Sequence, residues 1–465
     1  MCLLAGDSMK TTTMFLGPIL AYVMWAIMGS LGHSSEIAWT AAVVVCCAVW
    51  WIFEPVPIAV TSLIPIAVLP LVGVLDSKQV GAAYGDPLVL LMMGGFMLSM
   101  AMEKSGTHRR IAVMMVHGFG GENGGRRLVF GFMAASAFLS MWISNAATVL
   151  MLLPIVLAVT AHSSDLALKK CLLLGVAYAA SVGGIGTPIG TPPNLVFMRL
   201  YTEVAGGAEP SFMTWMQWAL PVVLVMLPLI GFWLTRGLSR SESLELPQVG
   251  RWRFEEIATL AVFAITALLW ITRKGPGGGW SAYLGLENAS DASVALLAVV
   301  VMHCIPNLKG GTLLSWDDCK KIPWGVLILF GGGIAIARAF TESGLDQVIA
   351  SSLTKLSDVP TLMMIAAVCF SVTFLTEVSS NTATANLILP ILAATAIAAE
   401  IDPRLVMVPA AISASFAFML PVATPPNAIV FGSDQLTIRE MAKEGFVLNM
   451  FGASVVTIIT WLTFS

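Results

Sequence analysis

The sequence predicts an all-α polytopic membrane protein: an inverted repeat with about 11 transmembrane helices, two re-entrant helical hairpins and two broken helices. Two observations predict this fold class. Hydrophobic residues make up 57% of the 465 residues and charged residues only 11%, whereas about 25% of an ordinary soluble domain is charged. So little charge cannot cover a water-facing surface, and we expect lipid to cover much of the chain. The second observation is a polar motif that occurs twice inside apolar segments.

The two copies of this motif are WISNAATVLMLLP at 142–154 and LTEVSSNTATANLILP at 375–390. When Asn145 is aligned with Asn381, the flanking serine, alanine, threonine and proline positions also coincide. A Ser-Gly pair stands 39 and 37 residues before the two asparagines, and a Thr-Pro-Pro-Asn motif ends 49 and 46 residues after them. Landmarks matched over this distance indicate an internal repeat.

Nine apolar segments are candidates for full spans, because about 20 apolar residues in a helix cross the hydrocarbon core. The prolines at 55, 57, 65 and 70 make the third of these segments irregular. The nine segments are 13–32, 37–53, 58–75, 87–104, 213–235, 255–272, 291–305, 324–342 and 444–463.

Two pairs of shorter apolar runs surround the polar motifs. The runs 128–143 and 149–161 have 16 and 13 residues and reach only about 20–24 Å, less than the roughly 30 Å of the hydrocarbon core. The pair 360–376 and 382–399 repeats this design. We interpret each pair as a re-entrant hairpin whose polar tip lies near the middle of the membrane.

Two further segments, 166–200 and 403–432, contain clusters of glycine and proline at mid-depth. Proline lacks an N–H group and disfavours a helical conformation in the residue before it, so both segments are predicted to be broken helices. Irregular backbone at this depth persists only where protein or a watery cavity covers it. Four breaks at matching places of the two halves therefore predict one central site.

Positive charges predict the orientation. Lys and Arg concentrate in 236–256 and 309–321, and Lys10 precedes the first span. The positive-inside rule places these three regions in the cytoplasm. Nine spans and two broken spans then give 11 crossings. We expect a multi-pass protein of the cell (inner) membrane with a cytoplasmic N-terminus, an extracytoplasmic C-terminus and two halves of opposite orientation.

The hairpin tips offer oxygen ligands that suit small cations. A half-helix that ends at the tip directs carbonyl groups toward it, and the next half-helix begins there with free N–H groups that favour an anion. No Lys or Arg lies within a few residues of Asn145 or Asn381. A carboxylate that entered alone would be costly to desolvate, and two or more bound cations would remove most of that cost. This predicts that cations bind before the anion.

Other interpretations of these residues stay open at this point. Serine and threonine in membrane helices often bond to the backbone, and small residues often mark helix packing; duplication of the motif favours a binding site. An intramembrane hydrolase would need a Ser–His dyad or an Asp pair, and no His is near either tip. A passive channel would not accumulate substrate. The net charge of −3 argues against a nucleic-acid partner.

Several other polar or small residues are expected to be structural. We expect Gly94-Gly95 and Gly331–Gly333 to be close helix contacts and Glu377 to be solvated or paired. Arg338 and Glu342 are four residues apart on a helix and are expected to pair. Asp86 and Glu54 lie near span ends and are expected at the membrane interface.

The segment 414–430, ASFAFMLPVATPPNAIV, fits the signature of the divalent anion–sodium symporters, and the paired Ser-Asn tips belong to the same family. The chain after residue 10 resembles bacterial INDY-type sodium–dicarboxylate transporters. The resemblance implies no enzymatic activity, but inward sodium movement coupled to uptake of C4-dicarboxylates such as succinate. It also implies a homodimer in the lipid bilayer and an elevator mechanism. Citrate or sulfate as the substrate, or dicarboxylate exchange, remain alternatives.

The resemblance also implies two or more sodium ions and one dicarboxylate at the tips. One sodium site comprises Ser140, Ser144, Asn145 and Gly190, and a second comprises Thr376, Ser379, Asn381 and Ala423. The dicarboxylate residues are Ser144, Asn145, Ala146, Ser380, Asn381, Thr382, Thr424 and Pro425.

Ala146 is a departure from the family, which has threonine at this position of the first tip. The missing hydroxyl removes one neutral hydrogen bond, worth about 1 kcal/mol. We expect this change to affect substrate affinity and preference rather than sodium binding.

The same resemblance implies a scaffold domain and a moving transport domain in each half. The first repeat is 1–235, with scaffold spans in 13–104 and a transport domain of hairpin 126–161 and broken helix 166–200. After the cytoplasmic linker 236–256, the second repeat is 257–465, with scaffold spans in 257–342, hairpin 359–399, broken helix 403–432 and last span 444–463.

Overall fold

The computed structural model of the chain describes residues 2–121, 124–161, 165–204, 206–238, 250–274, 278–352 and 359–465. Within these ranges the regular structure is helical, apart from one isolated β-bridge between Pro306 and Thr312. Much of the predicted linker 236–256 lies outside the described residues, as does the side chain of Lys10. The predicted all-α fold class is confirmed.

The first half contains twelve α-helices among the described residues. In chain order they are α1 (Cys2–Ser30), α2 (Ser35–Phe53), α3 (Ile58–Thr61), α4 (Leu63–Leu71), α5 (Ser77–Tyr84), α6 (Pro87–Ser105), α7 (Thr107–Gly118), α8 (Gly125–Ser140), α9 (Asn145–Thr160), α10 (Leu166–Gly184), α11 (Pro192–Glu203) and α12 (Phe212–Leu234).

The second half contains eleven α-helices among the described residues. They are α13 (Phe254–Thr272), α14 (Gly279–Tyr283), α15 (Asp291–Cys304), α16 (Trp316–Cys319), α17 (Trp324–Ser343), α18 (Leu345–Ser352), α19 (Thr361–Leu375), α20 (Asn381–Ala398), α21 (Arg404–Ser413), α22 (Pro425–Phe431) and α23 (Ile438–Phe464).

Nine stretches of helix in the described part of the chain are long and apolar enough to cross a membrane. Seven of them correspond to predicted spans, and the other two are α10 and α20. The predicted span 58–75 is divided into α3 and α4 at Ser62, in keeping with its prolines, and the predicted span 291–305 is the 14-residue helix α15. The polytopic membrane architecture is therefore present.

All four predicted interruptions are observed, at residues 141–144, 185–191, 376–380 and 414–424. Each following helix begins in a way that its sequence explains. Ser144 and Ser380 cap α9 and α20 by accepting hydrogen bonds from the backbone N–H groups of residues 147 and 383, which helix N-termini leave unpaired. Prolines open α11 and α22, where the missing N–H costs nothing.

Glycines bring several helices into close contact, as predicted for Gly94 and Gly331–Gly333, whereas a Cβ added to Gly95 would meet only Ile189 at 3.8 Å. A Cβ added to Gly94 of α6 would lie 2.7 Å from the Cβ of Ala295 in α15. In α17, an added Cβ would lie 2.4 Å from the Tyr84 ring at Gly331 and 2.2 Å from Asn386 Oδ1 at Gly333. Real Cβ atoms do not approach this closely, so a side chain at any of these positions would force the neighbouring group to shift.

Two short helices follow the matched Ser-Gly pairs and were not predicted. Helix α7 begins after Gly106 and α18 after Gly344, whose φ angles are +77° and +78°. This left-handed conformation favours glycine and turns the chain sharply. Helix α7 is held by Arg110, whose guanidinium lies 2.9 Å from the carboxylate of Glu256 on α13, with both side chains buried.

The prediction that Arg338 pairs with Glu342 is wrong. Arg338 of α17 pairs instead with Glu203 of α11, and Glu342 accepts a hydrogen bond of 2.9 Å from Gln79 Nε2. Helical spacing alone does not say whether a charged side chain turns along its own helix or toward a neighbour. Asp86 lies at the start of α6 as predicted and is only 3% exposed, while its position at the membrane interface stays a prediction.

Candidate functional site

The two tips and the two breaks in the broken helices meet at one cavity of about 430 Å³. It lies between these four segments and the helices α3, α6 and α17. The residues contributed by the tips and breaks are Ser144, Asn145, Ala146, Ile189, Gly190, Thr191, Pro192, Ser380, Asn381, Thr382, Ala423, Thr424, Pro425 and Pro426. All eight predicted dicarboxylate residues are among them, as are five of the eight predicted sodium residues.

The remaining three predicted sodium residues lie behind the cavity wall. Ser140 and Thr376 are fully buried, and Ser379 is 8% exposed. Ser140 Oγ donates a hydrogen bond of 2.6 Å to Asn145 Oδ1, and Thr376 Oγ1 donates one of 2.9 Å to Asn381 Oδ1. The two tips therefore have the same internal geometry, in which a hydroxyl five residues earlier orients the asparagine amide.

Oxygen atoms converge at the first tip. A Cβ added to Gly184 would lie 2.5 Å from Asn145 Oδ1 and 3.2 Å from the carbonyl oxygen of Gly190. A Cβ added to Gly190 would lie 2.9 Å from the carbonyl oxygen of Ser140. Amide and carbonyl oxygens of Asn145, Gly190 and Ser140 thus lie close to these two glycines, where any side chain would collide with them. Hard cations prefer such oxygen ligands, and the residues present fit a sodium ion.

The second tip has a similar surplus of acceptors. Thr376 Oγ1 lies 2.9 Å from Asn381 Oδ1 and 2.8 Å from the carbonyl oxygen of Ala414. One hydroxyl hydrogen can serve only one of these oxygens at a time. The other oxygen is left free to bind a cation. Ser379, in contrast, already bonds to Thr384 Oγ1 at 2.6 Å.

An asparagine closes each break. Asn194 Nδ2 donates to the carbonyl oxygens of Gly184 and Thr187 at 3.1 and 2.7 Å. Asn427 Nδ2 donates at 2.9 and 3.0 Å to Ala417 and Leu420, at matching positions of the second repeat. Each amide replaces the helical hydrogen bonds that the break removes. The asparagines of the Thr-Pro-Pro-Asn motifs thus fix the backbone on which the cavity is built.

Glu377 was expected to be solvated or paired, and it is paired and only 3% exposed. Its carboxylate accepts hydrogen bonds of 2.7, 2.9 and 3.1 Å from the backbone N–H groups of Phe418, Met419 and Leu420. This carboxylate therefore holds the unwound part of the second broken helix. The sequence signal was its place three residues before the tip serine–asparagine pair, but Met141 occupies the matching position of the first repeat.

Four helices begin at the cavity, and their N-cap residues Ser144, Thr191, Ser380 and Thr424 all line it. A helix N-terminus carries a partial positive charge of roughly half an elementary charge. None of the described residues that line the cavity is Lys, Arg, His, Asp, Glu or Cys. An anion there can be stabilised by N–H groups, hydroxyl groups and bound cations, but not by a basic side chain of the cavity wall.

Thr191 and the apolar wall of the cavity were not predicted from the sequence. Thr191 matches Thr424 in the repeated motif, which is the signal that could have identified it. The apolar wall comes from Ile58, Ala59, Met92, Phe96, Pro323, Gly325, Val326 and Leu329, and nothing in an apolar span marks the residues that face a cavity rather than a neighbouring helix.

This fold and this site define a helical membrane transporter. Among solved structures, the chain resembles the Alcanivorax borkumensis YdaH transporter, with a TM-score of 0.61, 14% identity, and coverage of 85% of this chain and 88% of that one. It also resembles Neisseria gonorrhoeae MtrF, with a TM-score of 0.60, 15% identity, and coverage of 84% and 83%. At this identity the likeness shows the fold alone.

The chain belongs to the sodium:sulfate symporter family, whose transmembrane-region model matches residues 9–464. It is 36% identical to a sodium-dependent dicarboxylate transporter, SdcS, of Staphylococcus saprophyticus, over 96% of this chain and 90% of that protein. SdcS of Staphylococcus aureus strain MRSA252 is also 36% identical, over 97% and 91%. The resemblance drawn from the repeated motifs is confirmed, and the protein is a transporter rather than an enzyme.

Proposed function

We propose that the protein couples inward sodium movement to the uptake of C4-dicarboxylates such as succinate. The observation that carries this proposal is the meeting of two like-built Ser-Asn tips at a cavity whose described lining has no basic side chain. The relatives in Staphylococcus, described as sodium-dependent dicarboxylate transporters, support the same substrate class.

Two sodium ions are assigned to the two oxygen clusters. One lies beside Asn145, with Ser140, Ser144 and the Gly190 backbone, and one lies beside Asn381, with Thr376, Ser379 and Ala423. The dicarboxylate lies between the tips, against Ser144, Asn145, Ala146, Ser380, Asn381, Thr382, Thr424 and Pro425. The convergence of oxygen atoms at Gly184 and Gly190 supports the first sodium site most directly.

Coupling follows from charge. A dianion in a cavity without basic side chains would lose its hydration and gain only helix N-termini and hydroxyl groups in return. Two sodium ions would make the site neutral overall. The dicarboxylate therefore binds well only after sodium, and the empty or fully loaded carrier is the form that crosses.

An elevator movement is proposed for the crossing. The hairpins and broken helices form the transport domain, and the spans within 13–104 and 257–342 form the scaffold of a homodimer. The predicted orientation places the N-terminus in the cytoplasm and the C-terminus outside the inner membrane. The bracing of the two broken helices by Asn194, Asn427 and Glu377 supports movement of the site as one body.

A second candidate is a carrier of the same fold for citrate or sulfate, or a dicarboxylate exchanger. The observation in its favour is Ala146, which leaves the first tip without the hydroxyl that Thr382 supplies at the second. A substrate of different shape or charge would not need a hydroxyl at position 146.

Uptake into vesicles that contain the purified protein tests the proposal. Labelled succinate should accumulate inside the vesicles above its external concentration when an inward sodium gradient is imposed. It should not accumulate under an inward potassium gradient. A panel of citrate, sulfate and other dicarboxylates under the same gradient distinguishes the second candidate. Succinate uptake that does not depend on sodium, or that requires dicarboxylate inside the vesicle, would contradict symport.

A further inference from the structure

Four charged side chains outside the lining of the central cavity connect three helices. Arg338 of α17 pairs with Glu203 of α11. Arg199 of α11 lies 3.0 Å from the carboxylate of Asp86 at the start of α6 and 3.1 Å from that of Glu203. The signs alternate along this set, and no member is more than 20% exposed at its side chain. We call these four residues the ionic chain.

The central cavity reaches the opposite end of α17 and the start of α3. Ile58 and Ala59, the first residues of α3, and Pro323 and Val326, at the start of α17, line it. Arg338 lies 12 residues beyond Val326 on α17, a rise of about 18 Å at 1.5 Å per residue. In the orientation predicted from the Lys and Arg counts, the cavity faces the cytoplasm and the ionic chain faces the exterior.

Arg338 is also held by helix α5, in addition to its pairing with Glu203 of α11. Its Nη1 donates a hydrogen bond of 2.9 Å to the backbone carbonyl of Gln79 on α5, and Gln79 Nε2 donates one of 2.9 Å to Glu342 on α17. Helices α5 and α17 thus hold the Arg338 guanidinium in the position in which it pairs with Glu203 of α11. A fixed donor loses less conformational entropy when it pairs.

We infer that the ionic chain is an extracytoplasmic lock that holds the protein in an inward-open state. The inference rests on the proposed elevator movement, in which α11 belongs to the transport domain while α6 and α17 belong to the scaffold. Movement of α11 past these helices must separate Arg338 from Glu203 and Arg199 from Asp86. Each separated charge must then be hydrated or find a new partner, which disfavours the outward-open state.

Distances between two spin labels test the lock. The labels are attached to cysteines that replace Thr341, at the outer end of α17, and Glu400, after α20, both of which are exposed. Cys2 and Cys304 are first replaced by serine. We expect the unchanged protein to give one dominant distance, and Arg338→Gln or Glu203→Gln to raise the ratio of a second distance to it about tenfold, within the range of conformational coupling.

Two further variants complete the design. Arg338→Lys retains the charge and should stay close to the unchanged protein. Arg404→Gln removes another arginine pair predicted to be extracytoplasmic, with Asp402 at 2.5 Å. Both residues lie at the start of α21 and do not join two domains, so the change should not alter the distances.

An unchanged ratio in both Arg338→Gln and Glu203→Gln overturns the lock. An equal rise in Arg404→Gln overturns it as well, because the effect would then come from any lost charge. If Arg338→Gln does not fold, Glu203→Gln decides alone. The distances require neither sodium nor dicarboxylate, so a failure of succinate uptake contradicts the proposed substrate without deciding the lock.

Discussion

Asn449, in the last helix, donates a hydrogen bond of 2.6 Å to the buried carboxylate of Glu377 beside the second tip. The same carboxylate accepts three backbone hydrogen bonds from residues 418–420. One carboxylate therefore joins α23, the second tip and the unwound segment that carries Ala423 and Thr424. No such group exists at the matching position of the first repeat, where Met141 stands.

Glu377→Gln should destabilise the protein and weaken sodium binding at the second tip. An amide has one acceptor oxygen, and its NH₂ group would face backbone donors, so we expect a loss of about 1–3 kcal/mol of unfolding free energy. Thermal unfolding in detergent and the sodium concentration for half-maximal uptake measure the two effects. Exposed Glu400→Gln is the matched control, and equal behaviour of the two variants would argue against the bracing role.

Asn145→Ala and Asn381→Ala should each abolish sodium-dependent uptake while the protein still inserts and elutes as the unchanged protein does. Each change removes the amide oxygen that the tip hydroxyl orients. Uptake is measured with labelled succinate under an inward sodium gradient. Asn288→Ala, at an exposed position, should transport normally. Normal uptake by either tip variant would contradict the site.

Gly184→Ala should abolish uptake because the new methyl group would lie 2.5 Å from Asn145 Oδ1, in the space assigned to sodium. Gly95→Ala is the control, since its new methyl group would meet only Ile189 at 3.8 Å, an ordinary contact. Sodium binding, followed by protection against thermal unfolding, should vanish in the first variant and persist in the second. Sodium protection that survives in Gly184→Ala would place the ion elsewhere.

Ala146→Thr should raise the affinity for C4-dicarboxylates several-fold. The new hydroxyl would give the first tip the hydrogen bond that Thr382 offers at the second, worth about 1 kcal/mol. The concentration of succinate for half-maximal uptake measures the change, and Ala146→Val controls for added volume. If threonine leaves the apparent affinity the same or weaker, position 146 does not contact a substrate carboxylate.

The pH dependence of uptake should follow the substrate rather than the protein. No described residue that lines the cavity is titratable near neutral pH, whereas a dicarboxylic acid gains protons as the pH falls. Apparent affinity expressed as dianion concentration should therefore be constant from about pH 6 to 8. A remaining dependence on pH after this correction would require a titrating group of the protein.

The tips and breaks could be predicted because their signals are local and duplicated. Asn145 and Asn381 stand in polar interruptions of apolar segments, and the prolines after Thr191 and Thr424 end one helix and begin another. Duplication then indicated that these places belong together. All eight predicted dicarboxylate residues line one cavity, although their contact with a substrate stays a prediction, as do the inverted orientation and the re-entrant path.

The remaining features depend on which way a side chain turns, and a single sequence does not determine this. Arg338 is four residues from Glu342, yet it meets Glu203 across a helix interface. Glutamate is usually a surface residue. Glu377 is nevertheless buried, because three N–H groups of a distant segment need an acceptor. Helix α7 is short and only partly apolar, so it gave no signal of a span, and its anchor, Glu256, is 146 residues away from Arg110.

The closure of each break by Asn194 and Asn427 has a consequence for the direction of flux. A binding pocket whose backbone is held by such hydrogen bonds offers a substrate the same contacts whichever compartment the pocket faces. Intrinsic affinities at the two membrane faces would then be nearly equal, so a preference for one face would come from the balance between the two conformations and not from the pocket. Reversing the sodium gradient should therefore be enough to reverse the direction of transport, so that the carrier exports dicarboxylate from the cell.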